Sequence, residues 1–492
     1  MPAKIPFLPA SSSLQEKLIE ASSPQRIRAQ LLVFLLILGV GLVRHYIYPH
    51  TARARSNRTV HHGHAHQEET IAQVHSILIY PIKSCAAVQL DAAQLGQNGL
   101  DLDRRWMVVT RHKRKADGSY EEQHKWAKVA LREDPRLTLV VPTVDEANNL
   151  LRLRISDHAS AASQLGNIET PLRPSQHQLS SWKLLEKVDM WGDYADGRIA
   201  ESASRPSPLD SSASPTMTPS EWLSTFLGYP VLLLHFDLHS DVRRAAFPIY
   251  RPPTDIDAWS TSEKEQLLQP QGLAFADEYP LLVSTVESLK AVQEQIQDAA
   301  RASLPGGAGG DGRGGRAIGG LNAELWEAKG KLDMIRFRPN IVLCSLSDDA
   351  EAYPAFSEDS WDRITILASS ADHDSTPTQT ALAIVARCQR CLLTAVDPTT
   401  AERDASVPLK FLSRTRMRYK KTPNPLGSQL GAVLPGKERK GPCFGVYAIP
   451  IPSPRAGDGA PGKGERGQYG EIRRGDAVRV RWRPATLDDE ER

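Results

Sequence analysis

The chain is 492 residues long and 40% hydrophobic, enough for two or three domains and too much for a single small module. Its 60 basic and 58 acidic residues leave a net charge of +2, so no global field recruits nucleic acid and any anion site must be local. Five scattered cysteines, an odd number, point to a reducing compartment rather than a disulfide framework.

In chain order, residues 1–28 are polar, with Lys4, Lys17, Arg26 and Arg28. The run LLVFLLILGVGLV at 31–43 then contains no polar side chain. It is shorter than the ~20 residues of a spanning helix, but its flanks extend it, and 29–48 reads as a single N-terminal membrane anchor. A cleaved secretory signal is the rival, because Ala52 and Ala54 stand at cleavage-type spacing. Arg44, Arg53 and the free thiols stand against it. The linker at 49–70 carries Arg53, Arg55 and Arg58, then HHGHAH. With no carboxylate or cysteine joining them in a folded context, these histidines read as a solvated tether rather than a metal site.

From residue 74 the patterning turns β-rich, with short strands expected at 74–80, 107–110, 137–142 and 150–155. The stretches 157–181 and 202–215, rich in Ser, Pro and Gln, read as disordered surface insertions. Thr218, Pro219 and Gly228 mark the cap, first turn and stop of a helix over 219–227, and a strand follows at 231–236. These elements make a first β-rich region, 71–240.

A second region, 255–484, opens with a strand at 280–284. There Ser284-Thr285-Val286-Glu287 has capping-box spacing ahead of a helical pattern through Leu289, Val292 and Ile296. A helix N-terminus presents free amides, so Ser284 and Thr285 are either phosphate contacts or simple caps. The glycine-rich insertion at 302–320 has no strand before it and no apolar helix after it, which argues against a nucleotide loop. Pro339 should bias Arg338 toward an extended conformation at the edge of a strand over 341–346. Further strands are expected at 361–366, 381–386, 446–451 and 477–482. Periodicity alone gives a mostly β, α+β chain behind an anchor.

The stretch RCQRCLLTAVDP at 387–398 places two thiols three residues apart just beyond a strand-like run. A thiolate is the soft ligand that molybdenum or another thiophilic centre selects, and Arg390 puts positive charge nearby to favour the deprotonated form. Without a second CxxC or a histidine pair, the two make a poor zinc site.

Three motifs in order, IYPIKSC at 79–85, RFRPNIVL at 336–343 and RCQRCLLTAVDPTT at 387–400, resemble the MOSC family. They are most similar to its membrane-bound branch, the mitochondrial amidoxime-reducing component. The resemblance implies an N-terminal β-barrel-like domain packed on a MOSC β-barrel, with the molybdenum cofactor (Mo-molybdopterin) between them. It implies that Cys391 is the molybdenum ligand and catalytic centre, with Cys388 its non-ligand partner. It further implies cofactor contacts from Lys83, Ser84, Arg104, Ser284, Thr285, Arg338, Asn340 and Arg390. Convergent cations suit a dianionic phosphate, and arginine adds bidentate geometry. Ala130 stands where the family has a threonine two residues before its arginine, so Arg132 is left out of the site. Cys443 reads as buried or incidental.

The function implied is two-electron reduction of small N-hydroxylated compounds. The cofactor would carry the redox chemistry while the protein orients it. No flavin, haem or ferredoxin motif is visible, so electrons must come from partners. The resemblance names cytochrome b5 and NADH-cytochrome b5 reductase, met at the mitochondrial outer membrane facing the cytosol. A sulfur-transfer role, or cofactor binding without turnover, is the alternative.

Overall fold

The computed structural model describes residues 68–115, 117–159, 165–201, 216–237, 245–246, 271–304, 318–329, 332–346, 353–368, 379–417, 419–420, 440–451 and 469–483. The expected anchor at 29–48, the linker histidines, the insertion at 202–215 and most of the glycine-rich run lie outside them. Among the described residues no helix is long and apolar enough to cross a membrane.

The chain is mostly β, with two closed barrels and few helices. The smaller barrel orders Leu184–Met190, Asp193–Ile199, Leu232–Phe236, Trp106–Arg114 and Tyr120–Lys128. Its pairs are antiparallel except where Asp189 meets Ala127 in parallel and closes the ring. Alternate residues, Met107 with Val109 and Val188 with Met190, build one buried cluster with Phe236 and Phe275, as a two-residue period requires.

The larger barrel orders Ile341–Ser345, Leu281–Thr285, Cys443–Ile451, Gln379–Gln389, Trp361–Leu367, Ala477–Trp482 and Glu68–Ile79. Glu68–Ile79 then pairs back onto Ile341–Ser345, with Val74 opposite Leu343. The strand that opens the first region in sequence therefore completes the barrel of the second. Leu281–Thr285 and Ile341–Ser345 run parallel, which demands a crossover, and the helix Val286–Ser303 supplies it. Its buried Val292, Ile296, Ala299 and Ala300 recur on one face and pack with Trp326, Phe337, Phe411 and Phe444. Each large side chain buried there contributes about 1.5–3 kcal/mol.

The helix Pro219–Leu227 forms between its predicted signals, with a reciprocal Thr218–Glu221 capping box and Gly228 in the left-handed region. Four expectations need correction. Within 157–181, Ile168–Pro171 is a strand paired with Leu150–Ile155 and Gln176–Ser181 is a helix. Four well-spaced apolar residues, Ile168, Leu172, Leu179 and Trp182, join the core and outweigh the polar composition. Residues 137–139 belong to a 3-10 turn, Pro135–Leu139, capped by Asp134, and the strand starts at Val140. The cap of Val286–Ser303 is Thr285, one residue later than the capping-box spacing suggests, because Ser284 stays in its strand. Glu287 accepts instead from the Ser345 amide at 2.9 Å. Arg338 is not extended but left-handed (φ 54°, ψ 45°), where it ends the 3-10 turn Met334–Phe337. Closing that turn, with the Arg338 amide on the Ile335 carbonyl, overrides the pre-proline bias.

Candidate active site

The three sequence motifs and Arg104 are tied together by hydrogen bonds. Arg338 Nη1 donates to the Cys85 carbonyl at 2.9 Å, joining the 336–343 motif to the 79–85 motif. Arg104 Nη2 donates to the Arg338 carbonyl at 3.4 Å, and its Nη1 to Asn340 Oδ1 at 3.3 Å. Arg390 Nη2 donates to the Phe337 carbonyl at 2.7 Å, which places Cys391 and Arg338 one residue either side of a single bond. Arg338 and Leu393 line a small cleft with Leu131 and Thr138 of the first region.

Backbone strain collects here. Nine non-glycine residues among those described have positive φ, and three of them are Ser84, Arg104 and Arg338. Such conformations cost about 1–3 kcal/mol each and persist where surrounding structure enforces them. Gly445 has a steric reason of its own: at φ 74° an added Cβ would stand 2.5 Å from Ser284 Oγ.

The arginines share a platform that sequence reasoning missed. Arg338 lies 4.0 Å and Arg104 4.7 Å from the centroid of the fully buried Tyr80 ring. Asp103 pairs with Arg104 and accepts from the Tyr80 amide. No carboxylate pairs with Arg338 among the described residues, and its Nη2 has no hydrogen-bond partner. Burial, with Arg104 adding repulsion, lowers the Arg338 pKa to about 10. The Ser284 hydroxyl, fully buried, is likewise unpartnered. Tyr80 lies inside the 79–85 motif and Asp103 beside the expected contact Arg104, so proximity to these was the available signal.

The other predicted contacts divide. Lys83, 5% exposed, donates to the Phe275 carbonyl at 2.9 Å and to Asp277. Burial pushes the Asp277 carboxyl up, but Lys83 and Trp191 overcome it and hold the group well below the usual range. Ser84 donates to the Val129 carbonyl, and Asn340 joins the Leu282 amide to the Leu78 carbonyl. Thr285 is engaged internally: its hydroxyl meets Ser288 at 2.7 Å and the buried Glu358 at 3.2 Å. The N-terminus of Val286–Ser303 thus already faces a carboxylate.

The two thiols have opposite settings. Cys391 is exposed, whereas Cys388 is 2% exposed and accepts from Arg390 Nη1 at 2.7 Å. Arg390 therefore spends its thiol hydrogen bond on Cys388, and burial still raises the Cys388 pKa against it. Burial likewise pushes the Cys85 thiol up to about 12. Cys443 is fully buried, as expected. Among the described residues no group of three or more His, Cys, Asp or Glu could hold a metal ion by itself.

Residues 71–230 match the MOSC N-terminal beta barrel domain and residues 270–479 the MOSC domain. The chain is 25% identical to mitochondrial amidoxime-reducing component 1 of Danio rerio over 77% of its own length and 81% of that protein. It is also 25% identical to molybdenum cofactor sulfurase of Aspergillus oryzae, over 71% of its own length but 36% of that protein's. For the sulfurase of Emericella nidulans the shares are 76% and 40%, so the chain spans two fifths or less of these two sulfurases. With both domains in order and its motifs gathered into one site, the chain belongs to the MOSC family.

Proposed function

We propose that this protein is a molybdenum-cofactor-dependent reductase of small N-hydroxylated compounds such as amidoximes. The observation that carries the reading is an exposed thiol, Cys391, on a loop that Arg390 ties to Phe337, next in the chain to the buried Arg338, whose guanidinium has an unpartnered Nη2 and no carboxylate partner among the described residues. A buried charge left in that state is costly, and an anionic ligand relieves it. The residues fit the group: Cys391 offers one soft ligand, while Arg338, Arg104, Lys83 and the unpartnered Ser284 hydroxyl would hold its anionic part. When bound, the molybdenum cofactor supplies the two-electron reduction that breaks the N–O bond.

The chain's own residues do the rest. Arg390 ties the Cys391 loop to the Phe337 carbonyl, and Tyr80 stacks two like-charged guanidiniums in place. Reduction of an N-hydroxyl group consumes two electrons and two protons and releases water, so an external donor is required. Cytochrome b5 with its NADH-dependent reductase fills that role in this proposal, and the apolar run at 31–43 would hold the enzyme at the mitochondrial outer membrane beside them. The match across 81% of the amidoxime-reducing component favours this reading. The sulfurase matches favour a second one, in which Cys391 carries sulfur as a persulfide.

Metal analysis of protein made in a host that synthesises the cofactor, with benzamidoxime reduction by an artificial donor, tests the choice. Bound molybdenum with turnover supports the reductase. Absent molybdenum with a persulfide on Cys391 supports sulfur transfer.

A further inference from the structure

Trp191 stands at a hairpin position that ordinarily rejects it. Met190 pairs with Asp193, so Trp191 and Gly192 form a two-residue loop, and both have positive φ, 69° and 93°. That primed turn favours Asn-Gly, and a bulky residue at positive φ is an outlier. Burial does not compensate, because Trp191 is 43% exposed.

Its indole is nevertheless fully engaged. Nε1 donates to Asp277 Oδ1 at 2.9 Å, the carboxylate that also receives Lys83. Lys128 Nζ and the Arg132 guanidinium each lie 3.5 Å from the ring centroid. Lys128 also pairs with Glu133 at 3.6 Å, whereas no carboxylate pairs with the half-exposed Arg132 among the described residues. Arg132 follows Leu131, which lines the cleft with Arg338 and Leu393, and its carbonyl accepts from Arg403 at 2.6 Å. The stack therefore holds a cation with no carboxylate partner among the described residues, one residue along the chain from the cleft lining.

We propose that Trp191 is a positioning residue that fixes Arg132 there as a receptor for an anionic substituent, so that the site prefers substrates carrying a carboxylate. The choice of substrates rests on the reductase reading above. The probes are benzamidoxime and 4-carboxybenzamidoxime on the holoenzyme, with binding of benzamidine and 4-carboxybenzamidine measured by calorimetry without turnover.

The wild-type protein should favour the carboxylates in both assays. Arg132→Gln and Trp191→Asn should each lower the carboxylate-to-neutral ratio of kcat/KM about tenfold, mainly through KM, as loss of one partly exposed charge-assisted contact implies. Trp191→Phe should fall between, since it keeps the ring and loses the Asp277 bond. Trp191→Asn should melt no lower than wild type, because Asn-Gly suits the turn. Equal ratios in all variants, or Trp191→Asn melting well below wild type, would overturn the proposal. If neither amidoxime is reduced, the reductase reading fails, and binding decides the role of Arg132 separately. Tenfold weaker 4-carboxybenzamidine binding in Arg132→Gln then retains the proposal, and equal binding removes it.

Discussion

Two polar clusters lie under the predicted cofactor contacts, and they differ in how completely they satisfy themselves. Around Thr285, every named partner is in place: Ser288 donates to Glu358 at 2.8 Å, accepts the Phe356 amide at 2.7 Å and meets Thr285 at 2.7 Å. Around Tyr80, two guanidiniums stack on one ring with a single carboxylate, Asp103, paired to one of them, and Arg338 Nη2 has no partner. A closed network costs little and holds a fold together, whereas an open one with excess charge is stable only if something else completes it. Thr285 therefore acts as a cap, and Arg338 keeps a donor that the protein itself leaves unsatisfied.

The largest expected effect separates the two thiols beside the open cluster. Cys391→Ser should lower benzamidoxime reduction about a hundredfold or more, since a hydroxyl is a poor substitute for a soft thiolate. Cys388→Ser should retain much of the activity, because that thiol is buried against Arg390. Equal losses in single-turnover assays would erase the distinction and favour shared sulfur chemistry.

The closed cluster should respond to pH. Burial, then Asp359, raises the Glu358 pKa from 4.5 to about 7, so the folded state favours the protonated acid. The associated stability is fully present below about pH 4.5 and is lost as pH rises through about 7, a loss of about 3 kcal/mol. Denaturant melts between pH 5 and 8 should show this slope, and Glu358→Gln should flatten it. An unchanged slope would mean that Glu358 does not titrate in the closed network.

A smaller effect sharpens the same contrast. Thr285→Val should cost about 1 kcal/mol of stability through loss of the helix cap while leaving cofactor content intact. Loss of cofactor from a stable Thr285→Val protein would place that hydroxyl in the open site instead.

What the sequence revealed of this arrangement depended on range. The helix Pro219–Leu227 was legible because its Thr218, Pro219 and Gly228 signals are local. Strands such as Ala477–Trp482 followed from alternation, with Val478 and Val480 buried. The partnership of Glu68–Ile79 with a strand more than 260 residues away was not, since pairing leaves no local trace. The candidate site residues Cys391 and Arg338 stand inside the motifs, but which of their polar atoms find partners was not readable. The inward turn of Arg390 toward Cys388, the cap shift to Thr285 and the Tyr80 platform all depend on neighbours supplied by other strands. Trp191 was invisible because one tryptophan before a glycine carries no signal until its φ and its two cations are seen.

Molybdenum and pterin content of purified Arg338→Ala protein tests the central claim most directly. Loss of one charge-assisted contact of about 1.5–3 kcal/mol should weaken cofactor retention about ten- to a hundredfold, with metal and pterin falling together and circular dichroism unchanged. Lysine at this position should restore only part, because a point charge lacks the bidentate fork. A folded Arg338→Ala protein with full molybdenum and full pterin would contradict the account.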